Sequence, residues 1–390
     1  MNSFLEGIYM SALLDDLEWM NRIDREGMCA ILAKFPEHCE EAIDEAKNLR
    51  IPRKVRISDG RVLRYGAPKK IVIAGMGGSA IGGSLFKDWL RASLPIPVEV
   101  CRGYTLPAYA DEETLVLATS YSGNTEETLS CLLEAVEKQC MVIGISSNGI
   151  LQEFGEKLGL PLVTIPGGNP PRSAVPYIFF SLVAVLNALE IMPSMGGEIE
   201  EAIAVLKEVR EEIKPEQPIS DNMAKKIAIG LQGSIPLISG FGFYESVALR
   251  MKTQFNENSK TPAVIELFPE LRHNTVVGWA GPRNLTKKFG VLLIRDREEP
   301  PEIRKMIEVT KEQIFNDGAA TVLEIWSKGH GKLARMLSIL YVGDFASVYL
   351  GILHGVNPTP TKNIDELKKH LTTCNTVGAL RKKFNKLLEG

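Results

Sequence analysis

Between residues 67 and 165 five short runs rich in β-branched residues recur: IVIAG (71–75), VEVC (98–101), TLVLAT (114–119), MVIGIS (141–146) and PLVTI (161–165). Each reads as apolar on both faces, and stretches with helical spacing lie between them. Strands that bury both faces belong to a parallel sheet covered by helices on either side, so the pattern predicts an α/β fold. A second, sparser set follows: IPLISG (235–240), VLLIRD (291–296) and TVLEIW (321–326), again with helices between. The helical stretch 177–213 and the linker-like PEQP (215–218) separate the two sets. Residues 1–66 read as helical, punctuated by Pro36 and Pro52, with Asp24 placed to cap the helix of REGMCAILAKF. The expected organisation is an N-terminal helical arm over 1–66, a first subdomain over 67–214, and a second over 219–390 that carries the C-terminal helices.

Composition narrows the partners. The net charge of −3 over 390 residues provides no field to recruit nucleic acid or anionic lipid. No uninterrupted apolar run is long enough to span a bilayer, and the opening MNSFLEGIYMSALLDDLEWM has neither a basic n-region nor a small-residue cleavage site. The six cysteines are scattered without a CxxC pair, which predicts reduced core thiols. Five histidines without an HxxxH spacing predict no transition-metal site. The expectation is a cytoplasmic chain with no metal, no cofactor, no nucleic acid and no membrane partner.

The chemistry concentrates at two turns. After the first strand comes GMGGSAIGG (75–83), in which Gly75, Gly77 and Ala80 satisfy G-x-G-x-x-A. As a dinucleotide fingerprint this is weak, because the next strand ends in Cys101-Arg102 and its only acid, Glu99, lies inside it. Ser79 suggests another use: glycines let bare N–H groups approach an anion at a helix N-terminus, and the hydroxyl adds a donor. SYSGNTEET (120–128), after TLVLAT, repeats this chemistry. The C-terminal ends of parallel strands share one sheet edge, so two hydroxyl-rich turns there can converge on one phosphate without lysine or arginine. Thr125 with Glu126 and Glu127 is equally a good helix start, and both readings stand.

These turns, together with DREGM (24–28), GGNPPRSAVPY (167–177), QFNENSK (254–260), ELRHN (270–274) and YLGILHGVNPTP with the following LK (349–368), resemble the sugar isomerase (SIS) fold. More narrowly, over nearly the whole chain, they resemble the bifunctional phosphoglucose/phosphomannose isomerases. The resemblance implies two SIS-type subdomains, each a parallel sheet flanked by helices. It implies metal-free aldose–ketose interconversion of glucose 6-phosphate and fructose 6-phosphate, and of mannose 6-phosphate, as in glycolysis and gluconeogenesis. By the same resemblance Gly78, Ser79, Ser120, Ser122 and Thr125 hold the phosphate. Glu257 moves the proton between C1 and C2, Arg172 stabilises the enediolate, and His273 and Lys368 handle ring opening. Thr361 stands where single-specificity relatives carry a bulkier glutamine. The resemblance also implies a homodimer in which His273 reaches into the neighbour's site.

The residues bear on these roles independently. Glu257 lies between two asparagines in a polar, loop-like stretch after the helix FYESVALRMKTQ, and Arg172 follows two stiffening prolines. His354, at the end of an apolar helix, is the rival to His273, and Lys362 and Lys369 are rivals to Lys368. On a helix opened by Asn363 or Asp365, residues 364, 367, 368 and 371 share one face, so Lys368 is expected to border a buried apolar side. The family usually reads NHNE around its histidine, whereas Arg272, His273, Asn274 and Thr275 stand here. Two other readings remain open at this point: a non-catalytic sugar-phosphate sensor, and an isomerase of an amino sugar or pentose phosphate.

Overall fold

Three short helices open the described part of the chain: α1 (Leu17–Ile23), α2 (Met28–Ala33) and α3 (Phe35–Ala46). The computed structural model describes residues 13–47, 49–192 and 195–389. The first twelve residues, on which the leader reading and the start of the arm fall, lie outside the described residues. Asp24 acts as expected: its carboxylate accepts the N–H groups of Met28 and Cys29 at 2.7 and 2.8 Å. A two-stranded antiparallel hairpin, β1 (Lys54–Arg56) and β2 (Val62–Arg64), follows without having been expected.

All five strands expected over 67–165 form: β3 (Lys70–Ala74), β4 (Val98–Cys101), β5 (Thr114–Thr119), β6 (Met141–Ser146) and β7 (Leu162–Thr164). Helices α4 (Gly77–Leu90), α5 (Glu126–Glu137) and α6 (Gly149–Leu158) lie between them, and α7 (Val175–Ala188) follows. The sheet order is β4-β3-β5-β6-β7, parallel throughout. β5 and β6 are buried at every position, and β3 at all but its first. The edges β4 and β7 are half-exposed, so burial on both faces holds for the central strands only.

The helical stretch 177–213 breaks before α8 (Gly196–Ile213), and α9 (Met223–Leu231) precedes a second parallel sheet. That sheet holds β8 (Ile235–Phe241), β9 (Val264–Phe268), β10 (Phe289–Arg295) and β11 (Thr321–Trp326), in the order β11-β10-β8-β9. Its strand β9, VIELF, is the one that periodicity missed; it sits at the sheet edge with most positions only partly covered. Helix α10 (Glu245–Asn258) connects β8 to β9, α11 (Lys332–Leu353) follows β11, and α12 (Lys362–Leu371) and α13 (Thr376–Glu389) close the chain.

Contacts group the chain into two compact units, Glu37–Met195 with Thr361–Gly390, and Met1–Pro36 with Gly196–Pro360. This differs from the linear division 1–66, 67–214 and 219–390, for reasons visible in single contacts. In the first unit α13 packs on α6: Phe154 and Phe384 stack with ring centroids 4.6 Å apart, and Arg381 pairs with Glu153 at 2.9 Å. In the second, Tyr341 of α11 donates its hydroxyl to the Leu32 carbonyl of α2 at 2.9 Å.

Among the described residues one helix, α11, is long and apolar enough to cross a membrane by length and composition. Its whole apolar window is buried inside the protein, where Asp344 meets Arg250 of α10 at 2.9 Å in a fully enclosed ion pair. Such a pair is held by geometry more than it stabilises, and removing either partner leaves a buried charge. It fixes α10 against α11.

Candidate active site

In an open parallel sheet, ligands sit beyond the carboxyl ends of the strands where the strand order reverses. In the first sheet that point lies between β3 and β5, which pair directly and whose connections leave in opposite directions. The GGSA turn leaves β3 there and SYSGNTEET leaves β5. Ser79 and Ser120 are both buried. The Tyr121 N–H donates to Ser79 Oγ at 3.2 Å, and the hydroxyls of Ser120 and Thr125 lie 2.8 Å apart. The structure therefore brings Ser79, Ser120 and Thr125 together.

Thr125 occupies the N-cap position of α5, but its side chain makes no capping bond to the helix. The hydroxyl turns to Ser120 instead. Helix α4 likewise starts, at Gly77, without a side-chain cap. Two helix N-termini with their positive ends at the switch point, framed by three hydroxyls, have the composition of a phosphate cradle. Ser122 is exposed at the tip of the turn, where its Oγ accepts the Asn124 N–H at 3.3 Å.

Glycine is required at two points. A Cβ on Gly78 would come 2.8 Å from the Pro171 carbonyl oxygen, because the PPRSA segment crosses directly over the first turn of α4. That crossing sets Arg172 beside the cradle: it lies in a single 3-10 turn, Pro171–Ser173, and is 4% exposed. Gly123 has a φ of +65°, and a Cβ there would sit 1.7 Å from the Asn148 carbonyl oxygen. The close approach ties the SYSGNTEET turn to the loop after β6.

Tyr121 is a residue that motif reading passed over. Its phenol oxygen accepts the Asn169 N–H at 3.0 Å, its carbonyl accepts the Ser147 hydroxyl at 2.7 Å, and its N–H serves Ser79. Burial pushes its phenol upward in pKa, against the Asn169 N–H that lowers it. One side chain thus joins the SYSGNTEET turn to the GGNPP loop. The available signal was an aromatic residue between two serines in an otherwise small, polar turn.

The dinucleotide alternative finds little support in the same neighbourhood. Arg102, at the end of the strand after the glycine turn, donates to Ser84 Oγ at 2.6 Å, and Glu99 accepts the hydroxyl of Tyr109.

The other predicted residues are placed as follows. Glu257 is partly exposed in the last turn of α10, so the expected loop around it is helix. The helix continues because Asn258, next to it, is buried and donates to Ser347 Oγ of α11 at 2.9 Å. Just past the end of the helix, the Lys260 ammonium bridges the carbonyls of Glu257 and Pro358 at 2.6 and 2.7 Å. His273, in the same unit as Glu257, is exposed at the end of the 3-10 turn Glu270–His273. Its Nε2 accepts from Arg272 Nε at 3.2 Å, so the departure from NHNE places a cation directly on the imidazole. The rival His354 is the C-cap of α11, with Nδ1 3.4 Å from the Thr261 hydroxyl.

Thr361 and Lys368 belong with the first sheet's unit. The carbonyl of Thr361 accepts from Ile364 and Asp365, so the helix opens at Thr361 rather than at Asn363 or Asp365. The expected buried side of α12 is not found among the described residues: Ile364, Leu367 and Leu371 are 42%, 62% and 57% exposed, and Lys368 is exposed with them. The helix is amphipathic, but none of the described residues of its own unit covers its apolar stripe.

The second sheet has the same topology, with its order reversing between β8 and β10. There the protein's own side chains fill the position. Asp296, just after β10, accepts from Tyr244 and Arg335, and Arg295 pairs with Glu299 at 2.6 Å and Glu308 at 2.7 Å.

Comparison with known proteins gives a family match over each sheet. The family model for the SIS domain matches residues 66–187, and that for the bacterial phospho-glucose isomerase C-terminal SIS domain matches residues 220–371. A bifunctional phosphoglucose/phosphomannose isomerase from Caldicellulosiruptor bescii is 40% identical over 338 residues, 86% of this chain and 96% of its own. One from Aquifex aeolicus is 37% identical over 304 residues, 78% of this chain and 90% of its own. Among solved structures, a hypothetical protein from Thermus thermophilus shares the fold with a TM-score of 0.70 at 17% identity, over 95% of this chain and 96% of its own. Two SIS-type sheets, a hydroxyl cradle at the first and near-full-length similarity to these relatives lead to one conclusion: the chain belongs to the bifunctional phosphoglucose/phosphomannose isomerase family.

Proposed function

We propose that the protein interconverts glucose 6-phosphate and fructose 6-phosphate, and accepts mannose 6-phosphate, with the phosphate held at the β3/β5 switch point. The observation that carries the reading is the cluster of Ser79, Ser120 and Thr125 hydroxyls at two uncapped helix N-termini, in a chain of this family. Ser122 and the backbone at Gly78 complete the phosphate contacts.

The chemistry then needs four further groups. The sugar arrives as a closed ring, so a proton must reach the ring oxygen and another must leave the C1 hydroxyl. His273 and Lys368 perform that exchange, the imidazole because its two ring nitrogens can accept one proton and donate another. In the open chain, the Glu257 carboxylate removes the C2 hydrogen as a proton while the C1 carbonyl oxygen takes up the electron pair. The Arg172 guanidinium, planar and permanently charged, stabilises the resulting enediolate. Glu257 returns its proton to C1, the C2 hydroxyl proton passes to the negatively charged oxygen on C1, and the ketose forms with a C2 carbonyl and a C1 hydroxyl. The cis-enediol has no stereocentre at C2, so return of the proton to either face of C2 yields glucose or mannose configuration. The short side chain of Thr361 leaves room for both.

On this reading the protein works in the cytoplasm as a homodimer, with His273 of one copy serving the site of the other. The test is a coupled assay for fructose 6-phosphate formed from each aldose. Turnover of both that disappears in Glu257→Gln supports the reading. Purified wild-type protein that turns over neither sinks it.

A further inference from the structure

Two thiols meet at the end of edge strand β4. Cys101 is the last residue of that strand, and Cys131 lies in the second turn of α5. Their sulfurs are 3.9 Å apart. Cys131 is buried, whereas Cys101 is partly exposed. Each sulfur also reaches the intervening loop: Cys131 to the Gly103 carbonyl at 3.3 Å and Cys101 to the Thr105 carbonyl at 3.1 Å.

The pair is asymmetric in the way a redox pair requires. The contact with the Cys131 sulfur lowers the Cys101 thiol to about 7, against desolvation that opposes the shift. The same contact, and then burial, push the Cys131 thiol up. Near neutral pH the accessible member therefore carries a larger share of nucleophilic thiolate than an ordinary thiol, and a second sulfur stands in contact with it.

We propose that Cys101 and Cys131 are a peroxide-sensitive dithiol whose oxidation to a disulfide weakens binding at the phosphate cradle. In the first step the Cys101 thiolate attacks hydrogen peroxide, the O–O bond breaks, and Cys101 sulfenic acid and hydroxide form. In the second, the Cys131 sulfur attacks the Cys101 sulfur, the S–O bond breaks, and the Cys131 proton leaves with the hydroxyl as water. Two thiols and one peroxide give one disulfide and two waters.

The coupling to the cradle rests on the phosphate-binding role proposed above, and it follows from where the loop is anchored. A disulfide draws the sulfurs from contact to about 2 Å. The yielding part is the edge strand with its loop, because Cys131 is enclosed in α5. That loop holds α4 through the bond from Arg102 to Ser84. It holds α5 through Tyr104 with Glu126 at 3.4 Å and Leu106 N with Glu134 at 2.8 Å. These are the two helices whose N-termini frame the phosphate. Displacing the loop shifts both.

The experiment uses full-length protein carrying Cys374→Ser, which removes the fully exposed cysteine. Reduced protein is treated with hydrogen peroxide, blocked with an alkylating agent and digested without reductant. The affinity for fructose 6-phosphate is measured by calorimetry before and after, and again after dithiothreitol. The expected result is a peptide linking Cys101 to Cys131, loss of two thiols, and a severalfold rise in Kd that dithiothreitol reverses. Cys131→Ala, and separately Cys101→Ala, should show neither the link nor the reversible change. Absence of the linked peptide overturns the dithiol. A linked peptide with unchanged Kd overturns its coupling to the cradle. Failure of the functional reading registers separately, as reduced protein with no turnover in the coupled assay.

Discussion

The backbone N–H of Tyr121 donates to the hydroxyl of Ser79 at 3.2 Å, so two turns 42 residues apart in sequence share one hydrogen bond at the β3/β5 switch point. The bond makes the cradle a single object. Neither turn can move its donors without moving those of the other.

The sharpest catalytic expectation concerns Glu257. Glu257→Gln keeps the shape of the last turn of α10 and removes the carboxylate proposed as the base. The expected loss in kcat is about 10²- to 10⁴-fold with KM for fructose 6-phosphate little changed. Steady-state kinetics from both aldoses check it, with the thermal midpoint as a folding control.

Arg172 is buried, so its replacement tests geometry as well as charge. Lysine keeps the charge but loses the planar fork. Arg172→Lys should lower kcat by roughly 10²-fold or more, as when a transition-state donor is removed. A variant that retains full kcat would take Arg172 out of the enediolate step.

Gly123→Ala should destabilise the first sheet's unit by about 2–5 kcal/mol, combining a left-handed backbone that disfavours a side chain with a collision against Asn148. Denaturant melts of wild type and variant measure this. A change within ~0.5 kcal/mol would mean that the turn relaxes freely.

Thr361→Gln tests epimer tolerance. The residue opens α12 through its carbonyl, which glutamine keeps. The expected outcome is a ratio of mannose 6-phosphate to glucose 6-phosphate turnover lowered by about 10-fold or more, in the range a steric change in a site produces. The ratio is the readout because a general loss of stability would lower both rates together.

Alkylation should find Cys101 first among the partly or fully buried thiols. The thiolate is the reactive form, and its folded pKa is lowered from 9.0 to about 7. The labelling rate at Cys101 should therefore rise through pH 7 and level off above it. Buried Cys39, whose thiol desolvation holds well above its ordinary value, should stay unlabelled in the folded protein across that range.

The first sheet was legible because its central strands bury both faces, which writes them as unbroken β-branched runs between turn residues. Edge strand β9 escaped because its partly covered positions admit Glu266 and break the run. The two turns were legible as hydroxyl-rich strand-to-helix connections, and the structure brings Ser79, Ser120 and Thr125 of them together; the packing of Gly78 under Pro171 and of Gly123 against Asn148 was not legible, because those partners are distant in sequence. Tyr121 was not, since its importance lies in bonds to Ser79, Ser147 and Asn169, all distant in sequence. Glu257 was misplaced onto a loop because NENS reads as polar and irregular, whereas burial of Asn258 against Ser347 prolongs the helix. The α12 stripe was correctly seen as apolar. Periodicity identifies such a face without saying whether its own chain will cover it.

The chain changes unit after Pro36, after Met195 and after Pro360. During synthesis this imposes a schedule. The first sheet leaves the ribosome long before Phe384, the ring that stacks on Phe154. Helices α1 and α2 emerge before every strand of the sheet they join and must wait for Tyr341. Neither unit can finish during translation of its own central segment; both reach completion only as the closing helices arrive. A nascent chain stalled near residue 350 would therefore expose two unfinished cores at once, and it would rely on chaperones to a degree that a bead-on-string arrangement of the same two sheets would not.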